Sequence, residues 1–229
     1  MVRAYFRSAN IQHSPYGEWF YINVKKPVNQ SVDFSASDDQ QPSHIIVFQS
    51  GWGKIAAAGS TQYVIDRWAP DLLINLGTCG GFDGEIERGE LILVDKTIVY
   101  DIYEQMGDYD EHLAHYSTTI DLSWLRKPYP LAVSQTLLVS ADRDLMIDEI
   151  PVLKEKFHAV AGDWESGAIA WVADRNRTRL IILRGVTDLV GIKGGEAYGN
   201  MEYFAKSSQK IMTSLLNSLP DWLKSAGIL

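Results

Sequence analysis

The chain is poor in several things that would each point to a particular class of protein. One cysteine, Cys79, stands in 229 residues, which excludes an internal disulfide framework and any cysteine-cluster metal site. No apolar run approaches the ~20 residues that a membrane span needs. The opening MVRAYFRSANIQ carries nothing resembling a signal sequence. Basic blocks are missing too, and the net charge is −8, so a polyanionic partner such as nucleic acid is disfavoured. Five histidines show no ligand spacing, since His112 and His115 are three apart without a third partner. There is no internal repeat, low-complexity tract or interdomain linker. These absences predict a cytoplasmic enzyme or binding protein, one domain over residues 1–229, with no metal and no cofactor.

What is present is a layered apolar pattern. The runs HIIVF (44–48), DLLINLG (71–77), ELILVD (90–95), AVSQTLLVS (132–140) and RLIILRGVT (179–187) read as strands buried on both faces, because their hydrophobicity is continuous rather than alternating. Between them, Ala57, Thr61, Val64, Ile65 and Trp68 fall on one helical face, as do Ala168, Ile169 and Val172. Near the end Phe204, Ser208, Ile211, Leu215 and Leu219 do the same. The polar stretch 26–44 reads as a long loop. Strands alternating with helices predict an α/β fold around a largely parallel sheet, with ligands beyond the carboxyl ends of its strands.

The residues at those strand ends carry chemistry. After HIIVF, Gly51 and Gly53 allow a tight turn into a helix whose free N–H groups can meet an anion or hydroxyl. The stretch Gly51-Trp52-Gly53-Lys54-Ile55-Ala56 also fits a loose dinucleotide fingerprint. That motif needs an acid at the end of the second strand, and Asp71 stands at its beginning instead, so NAD binding is not expected. After DLLINL, Gly77, Thr78, Cys79, Gly80 and Gly81 strip side chains from a strand end and let a backbone approach a ligand. Cys79 reads as a small packed residue, with no partner base to make it a nucleophile. Asp163 could cap the helix that follows it, and Glu165 could simply answer the helix dipole. Asp188, closing an apolar run, could be partly buried and act as an acid.

Taken together, SGWGKIAAA, INLGTCGGF, SADRDL (140–145), DWESGAIA and RGVTDLV resemble the nucleoside phosphorylase and nucleosidase superfamily, in particular the 5′-methylthioadenosine/S-adenosylhomocysteine nucleosidases. The resemblance runs in order from about residue 45 to the C-terminus. It implies a three-layer α/β/α sandwich with a central mixed, mostly parallel, partly barrel-like sheet, commonly in a homodimer. It implies a purine nucleoside ligand whose N-glycosidic bond is hydrolysed to release the free base. Glu165 would hold the ribose 2′- and 3′-hydroxyls, Trp164 would lie beneath the sugar, and Asp188 would protonate purine N7. Gly77, Thr78, Cys79, Gly80 and Asp163 would line the site with them. Asn75 stands where purine phosphorylases carry a phosphate-binding arginine, so water is the expected nucleophile; phosphorolysis and binding without turnover are the alternatives.

Two departures from the pattern also set expectations. The family's opening strand and its water-activating glutamate are missing from their place, EWFYINV (18–24) reading as the following hairpin. A shortened N-terminus is one expectation and Glu18 a replacement base another. In the base pocket Asp144, followed by Leu145, replaces an aromatic, so Asp142 and Asp144 could accept hydrogen bonds from the base. Tyr198 is a candidate lid on the 5′ side.

Overall fold

The computed structural model describes residues 2–6, 10–24, 34–35 and 44–229. Except for Phe34, Ser35 and His44, the expected loop at 26–44 lies outside the described residues. A short helix α1 (Val2–Tyr5) precedes a small antiparallel sheet of β1 (Gln12–Ser14), β2 (Gly17–Val24), β3 (Phe34–Ser35) and β4 (His44–Phe48). In this sheet β2 pairs with each of the others. The HIIVF strand was expected in the main sheet; instead its residues pair antiparallel with Trp19–Asn23 of β2. There the run is only partly buried, with His44 exposed and Ile45, Ile46, Val47 and Phe48 intermediate, opposite Trp19, Phe20, Tyr21 and Ile22.

The main sheet comes from β5 (Leu73–Phe82), β6 (Leu91–Val99), β7 (Ser117–Thr119), β8 (Ser134–Ser140), β9 (Ala161–Asp163), β10 (Leu180–Gly191) and β11 (Gly194–Gly195). Their order is β11-β10-β5-β9-β8-β6-β7, and β10 also pairs with β6. That extra pairing, Leu183 opposite Leu93, closes five strands into a ring, so the sheet is mixed and partly a barrel. Its longest ladders, β5 with β10 and β6 with β8, are parallel.

Helices α2 (Gly53–Trp68), α3 (Tyr109–His115), α4 (Ile150–Phe157), α5 (Ser166–Arg175) and α6 (Met201–Ser225) surround it. α2 packs on α5, α5 on β6, β7 and β8, and α6 on β10 and β5. Small residues set these approaches: a Cβ on Gly167 would meet Val99 at 2.5 Å, and one on Gly185 would meet Ile211 at 2.3 Å. The periodic face of α6 buries Ser208, Ile211, Leu215 and Leu219, whereas Phe204 at its start stays exposed. Each such aliphatic side chain contributes about 1.5–3 kcal/mol on burial. Among the described residues no helix is long and apolar enough to cross a membrane.

Candidate active site

The glycine-rich segment is not a loop after β5 but its second half. β5 continues through Gly77, Thr78, Cys79, Gly80 and Gly81 to Phe82. Each glycine has a packing neighbour. A Cβ on Gly77 would meet the Arg184 guanidinium at 3.0 Å, on Gly80 the Leu145 side chain at 3.2 Å, and on Gly81 Ile86 at 2.7 Å. Likewise β10 does not stop at Asp188 but runs three residues further, to Gly191.

Along this pair the register shifts once. Val186 faces Cys79, yet Asp188 faces Gly80, so Thr187 is an extra residue in a bulge. Because side chains alternate along strands, the bulge resets the faces. Arg184, Val186 and Leu189 share a face with Gly77, Cys79 and Gly81, whereas Asp188 joins the face of Thr78, Gly80 and Gly185.

The first of these faces is sealed. Arg184 and Asp163 pair at 2.8 Å with side chains 3% and 2% exposed. Asp163 also accepts from Ser140 Oγ at 2.7 Å, from Ser166 Oγ at 2.5 Å, and from the Ser166 N–H that opens α5. Arg184 Nη2 donates to Asn75 Oδ1 at 2.5 Å. Asp163 is therefore a helix cap and half of a buried ion pair. Arg184 had no place in the sequence reading. Its signal was there: a lone arginine in an apolar strand must find a buried carboxylate. Burial pushes the neighbouring Cys79 thiol far above its ordinary value, so it stays protonated.

Asp188 lies on the other face, 5% exposed. Burial raises its pKa above the usual carboxylate value, offset in part by hydrogen bonds from Thr187 and the Ala197 backbone, with Glu196 and Asp144 pushing further upward. Thr187 Oγ1 stands 2.7 Å from Asp188 Oδ1 and 3.1 Å from the Cys79 carbonyl oxygen. One hydroxyl proton thus faces two acceptors. An ionised Asp188 claims that proton; a protonated one releases it to the carbonyl.

After β10 the chain turns back through β11, and Glu196 accepts from the Leu189 N–H at 2.9 Å while gripping Arg88. This brings Tyr198 to the loop 141–145, where its hydroxyl donates to the Leu145 carbonyl at 2.9 Å. Burial, with Asp144 and Asp188 nearby, raises the Tyr198 phenol, so it remains a donor. Tyr198 therefore lies on the Asp188 side. Leu145 is buried against Gly80 and Gly162, and Asp144 beside it is exposed.

Glu165 forms the second half of the site. It is the residue before α5 but makes no cap with its own helix. Its Oε1 accepts instead from the Gly53 N–H at 3.0 Å. Burial raises its pKa, the Gly53 contact lowers it, and Asp163 and Asp142 raise it against Arg184. Trp164 beside it is 37% exposed. Asp142, read as a possible acceptor for the base, takes the Lys54 N–H at 2.7 Å. The loop 141–145 joins the halves: Asp142 stands beside Glu165, and three residues later, within about 10 Å of chain, Leu145 stands beside Tyr198. Glu18 sits in β2, its carboxylate 4.0 Å from His13 Nδ1.

Known proteins carry the same arrangement of elements. The model of the phosphorylase superfamily matches residues 40–219. A 5′-methylthioadenosine/S-adenosylhomocysteine nucleosidase of Tolumonas auensis is 28% identical over 188 residues, 76% of this chain and 82% of that one. One from Staphylococcus haemolyticus is 29% identical over 196 residues, 76% and 82% respectively. The crystal structure of Streptococcus pneumoniae MTA/SAH nucleosidase in complex with 8-aminoadenine superposes with a TM-score of 0.69, over 95% of this chain and 93% of that one. At 17% identity, that likeness speaks for the fold alone.

Proposed function

The chain belongs to the phosphorylase superfamily, and from that premise we propose that it hydrolyses the N-glycosidic bond of a purine nucleoside. The names of its relatives make 5′-methylthioadenosine and S-adenosylhomocysteine the first substrates to test. The observation that carries the reading is a pair of carboxyls: buried Asp188 with a raised pKa on the base side, and half-buried Glu165 tethered through one oxygen on the other.

In this reading Asp188 enters as the neutral acid. As the C1′–N9 bond breaks, its electron pair passes into the purine, and Asp188 delivers its proton to N7. Positive character develops on the ribose, where ionised Glu165 holds the hydroxyls and favours that charge. Water adds to C1′ and loses a proton to solvent, giving free base and free sugar. Protonating the leaving group typically contributes 10²–10⁴-fold. Phosphate as the nucleophile would need a cationic cradle. Arg184, the guanidinium beside Gly77, is committed to Asp163 and Asn75.

The remaining parts of the proposal are a homodimer and a cytoplasmic location. Trp52, Ile55, Tyr103 and Met106 are between 72% and 96% exposed around the Lys54–Asp101 contact, a surface suited to a second copy. Light scattering giving a monomer mass at micromolar concentration would remove the dimer. A cytoplasmic location agrees with the single unpaired, buried thiol.

The test of function is chromatographic. Purified protein is incubated with methylthioadenosine, S-adenosylhomocysteine, adenosine and inosine, with and without phosphate. Free base without phosphate is expected. Release that requires phosphate would mean phosphorolysis, and no release, with nucleoside still raising Tm, would mean a binding protein.

A further inference from the structure

Helix α2 starts on Gly53 without a cap of its own. The residue before it, Trp52, offers no side-chain acceptor, and the first-turn N–H groups of a helix have no partner within it. Two carboxylates from elsewhere take their place, side by side: the Gly53 N–H donates to Glu165 and the Lys54 N–H to Asp142. Gly53 is left-handed, at φ 76°, and a Cβ there would meet Asp142 Oδ1 at 2.7 Å. The contact therefore needs glycine.

Lys54 then closes a ring. Its Nζ pairs with Asp101 Oδ1 and lies 3.7 Å from Asp142 Oδ2, while the Asp142 N–H donates to Asp101 Oδ2 at 2.9 Å. The Lys54 and Asp101 side chains are only 18% and 15% exposed. Backbone and side chain of one lysine thus grip one aspartate from two directions, and a third residue braces both.

We infer that Lys54, Asp101 and Asp142 are positioning residues for the proposed nucleoside site. Their ring fixes the start of α2 so that the Gly53 N–H holds Glu165 Oε1, leaving Oε2 for a ligand hydroxyl. The ribose part rests on the function proposed above; the fixing of Glu165 does not. Around that carboxylate stand Asp163, Asp142 and Arg184, none of which supplies the hydrogen bond that Gly53 does.

The experiment reads Gly53 directly. In wild type without ligand, the Gly53 amide proton shift should follow the titration of Glu165, and Glu165→Gln should abolish that response. Lys54→Met keeps the backbone N–H but opens the ring. It should flatten the Gly53 titration and speed its amide exchange about tenfold, as expected where a local opening becomes easier; Lys54→Arg should restore both. In turnover, Lys54→Met should lower kcat/KM more for a ribonucleoside than for its 2′-deoxy analogue, shrinking that preference roughly 3- to 10-fold, the scale of one hydrogen bond. A purely structural defect would lower both substrates alike. If Lys54→Met does not fold, Asp142→Asn supplies the same readouts, since it keeps an oxygen for the Lys54 N–H but weakens the grip on Nζ. Unchanged Gly53 titration and exchange in a folded variant would overturn the inference, whatever the enzyme does. The expected Gly53 response with no nucleoside cleaved or bound would sustain the positioning of Glu165 and overturn the proposed function alone.

Discussion

The strand pair β5 and β10 has a buried acid at each of its faces, Asp163 of β9 against Arg184 on one and its own Asp188 on the other, and the faces treat a carboxylate in opposite ways. On one, Asp163 is met by a guanidinium, two hydroxyls and a helix N–H. On the other, Asp188 has a threonine hydroxyl, the Ala197 backbone and two further acids in its surroundings. The first arrangement stabilises charge and the second opposes it. What separates them is the single extra residue at Thr187. In a regular ladder Asp188 would face Gly81 and share the side of Arg184, whose charge would favour the ionised form. The bulge turns it away, to the face where a carboxyl can hold its proton. The two acids differ in what surrounds them, not in how deeply they are buried.

The largest effect should come from breaking the sealed face. Arg184→Met leaves Asp163 buried without its cation, and such losses cost about 3–5 kcal/mol. Denaturant unfolding should show a loss of unfolding free energy of that order, with Asp163→Asn added to the same chain recovering part of it. A loss in the double variant equal to the sum of the two single losses would mean that the pair is not coupled.

The Asp188 face should respond in the reverse sense. Asp188→Asn should lower kcat by about 10²–10⁴-fold while leaving stability at neutral pH unchanged or improved. The sign follows from linkage. The folded-state pKa of Asp188 is raised, so its contribution to stability is fully present below the ordinary carboxylate value and lost as pH rises through the raised one. Wild type should therefore lose stability relative to Asp188→Asn across that window. The same ionisation should set the alkaline limb of kcat/KM, and Glu165, which must be charged, the acid limb. A flat profile on the alkaline side would take the acid role from Asp188.

The smallest effect sharpens the contrast. Thr187→Val keeps the bulge residue but removes the hydroxyl that helps to hold the Asp188 pKa down. The alkaline limb should move to higher pH, with a stability change near the ~1 kcal/mol typical of one hydrogen bond. A limb displaced to lower pH would contradict the assigned direction.

How far the sequence foretold this differs by element. The runs at 90–95, 132–140 and 179–187 and the helix at 166–176 were legible because burial on both faces, or on one helical stripe, leaves a pattern in composition. The pairing of β4 with β2 was not, since an apolar run is equally at home in either sheet. Nor was the bulge, which arises only when β10 meets β5 and leaves no mark in residue type. At Gly77, Gly80 and Gly81 the sequence could not show the side chains that press on the strand, Arg184, Leu145 and Ile86. Glu165 and Asp188 were legible as acids at the ends of apolar stretches. Asp142 and Lys54 were not, because their partners lie 88 and 47 residues away.

The borrowed caps of α2 also bear on the order in which the molecule assembles. A helix with a local cap can form its first turn early, but this one must wait for residues 88 and 112 positions further along the chain. Closing loops of that length is costly before tertiary contacts reward it. The first turn of α2 should therefore be among the last parts to consolidate and, on heating, among the first to come loose. Loss of catalytic geometry would then precede loss of the fold, so activity should fail at a lower temperature than the unfolding of the sheet.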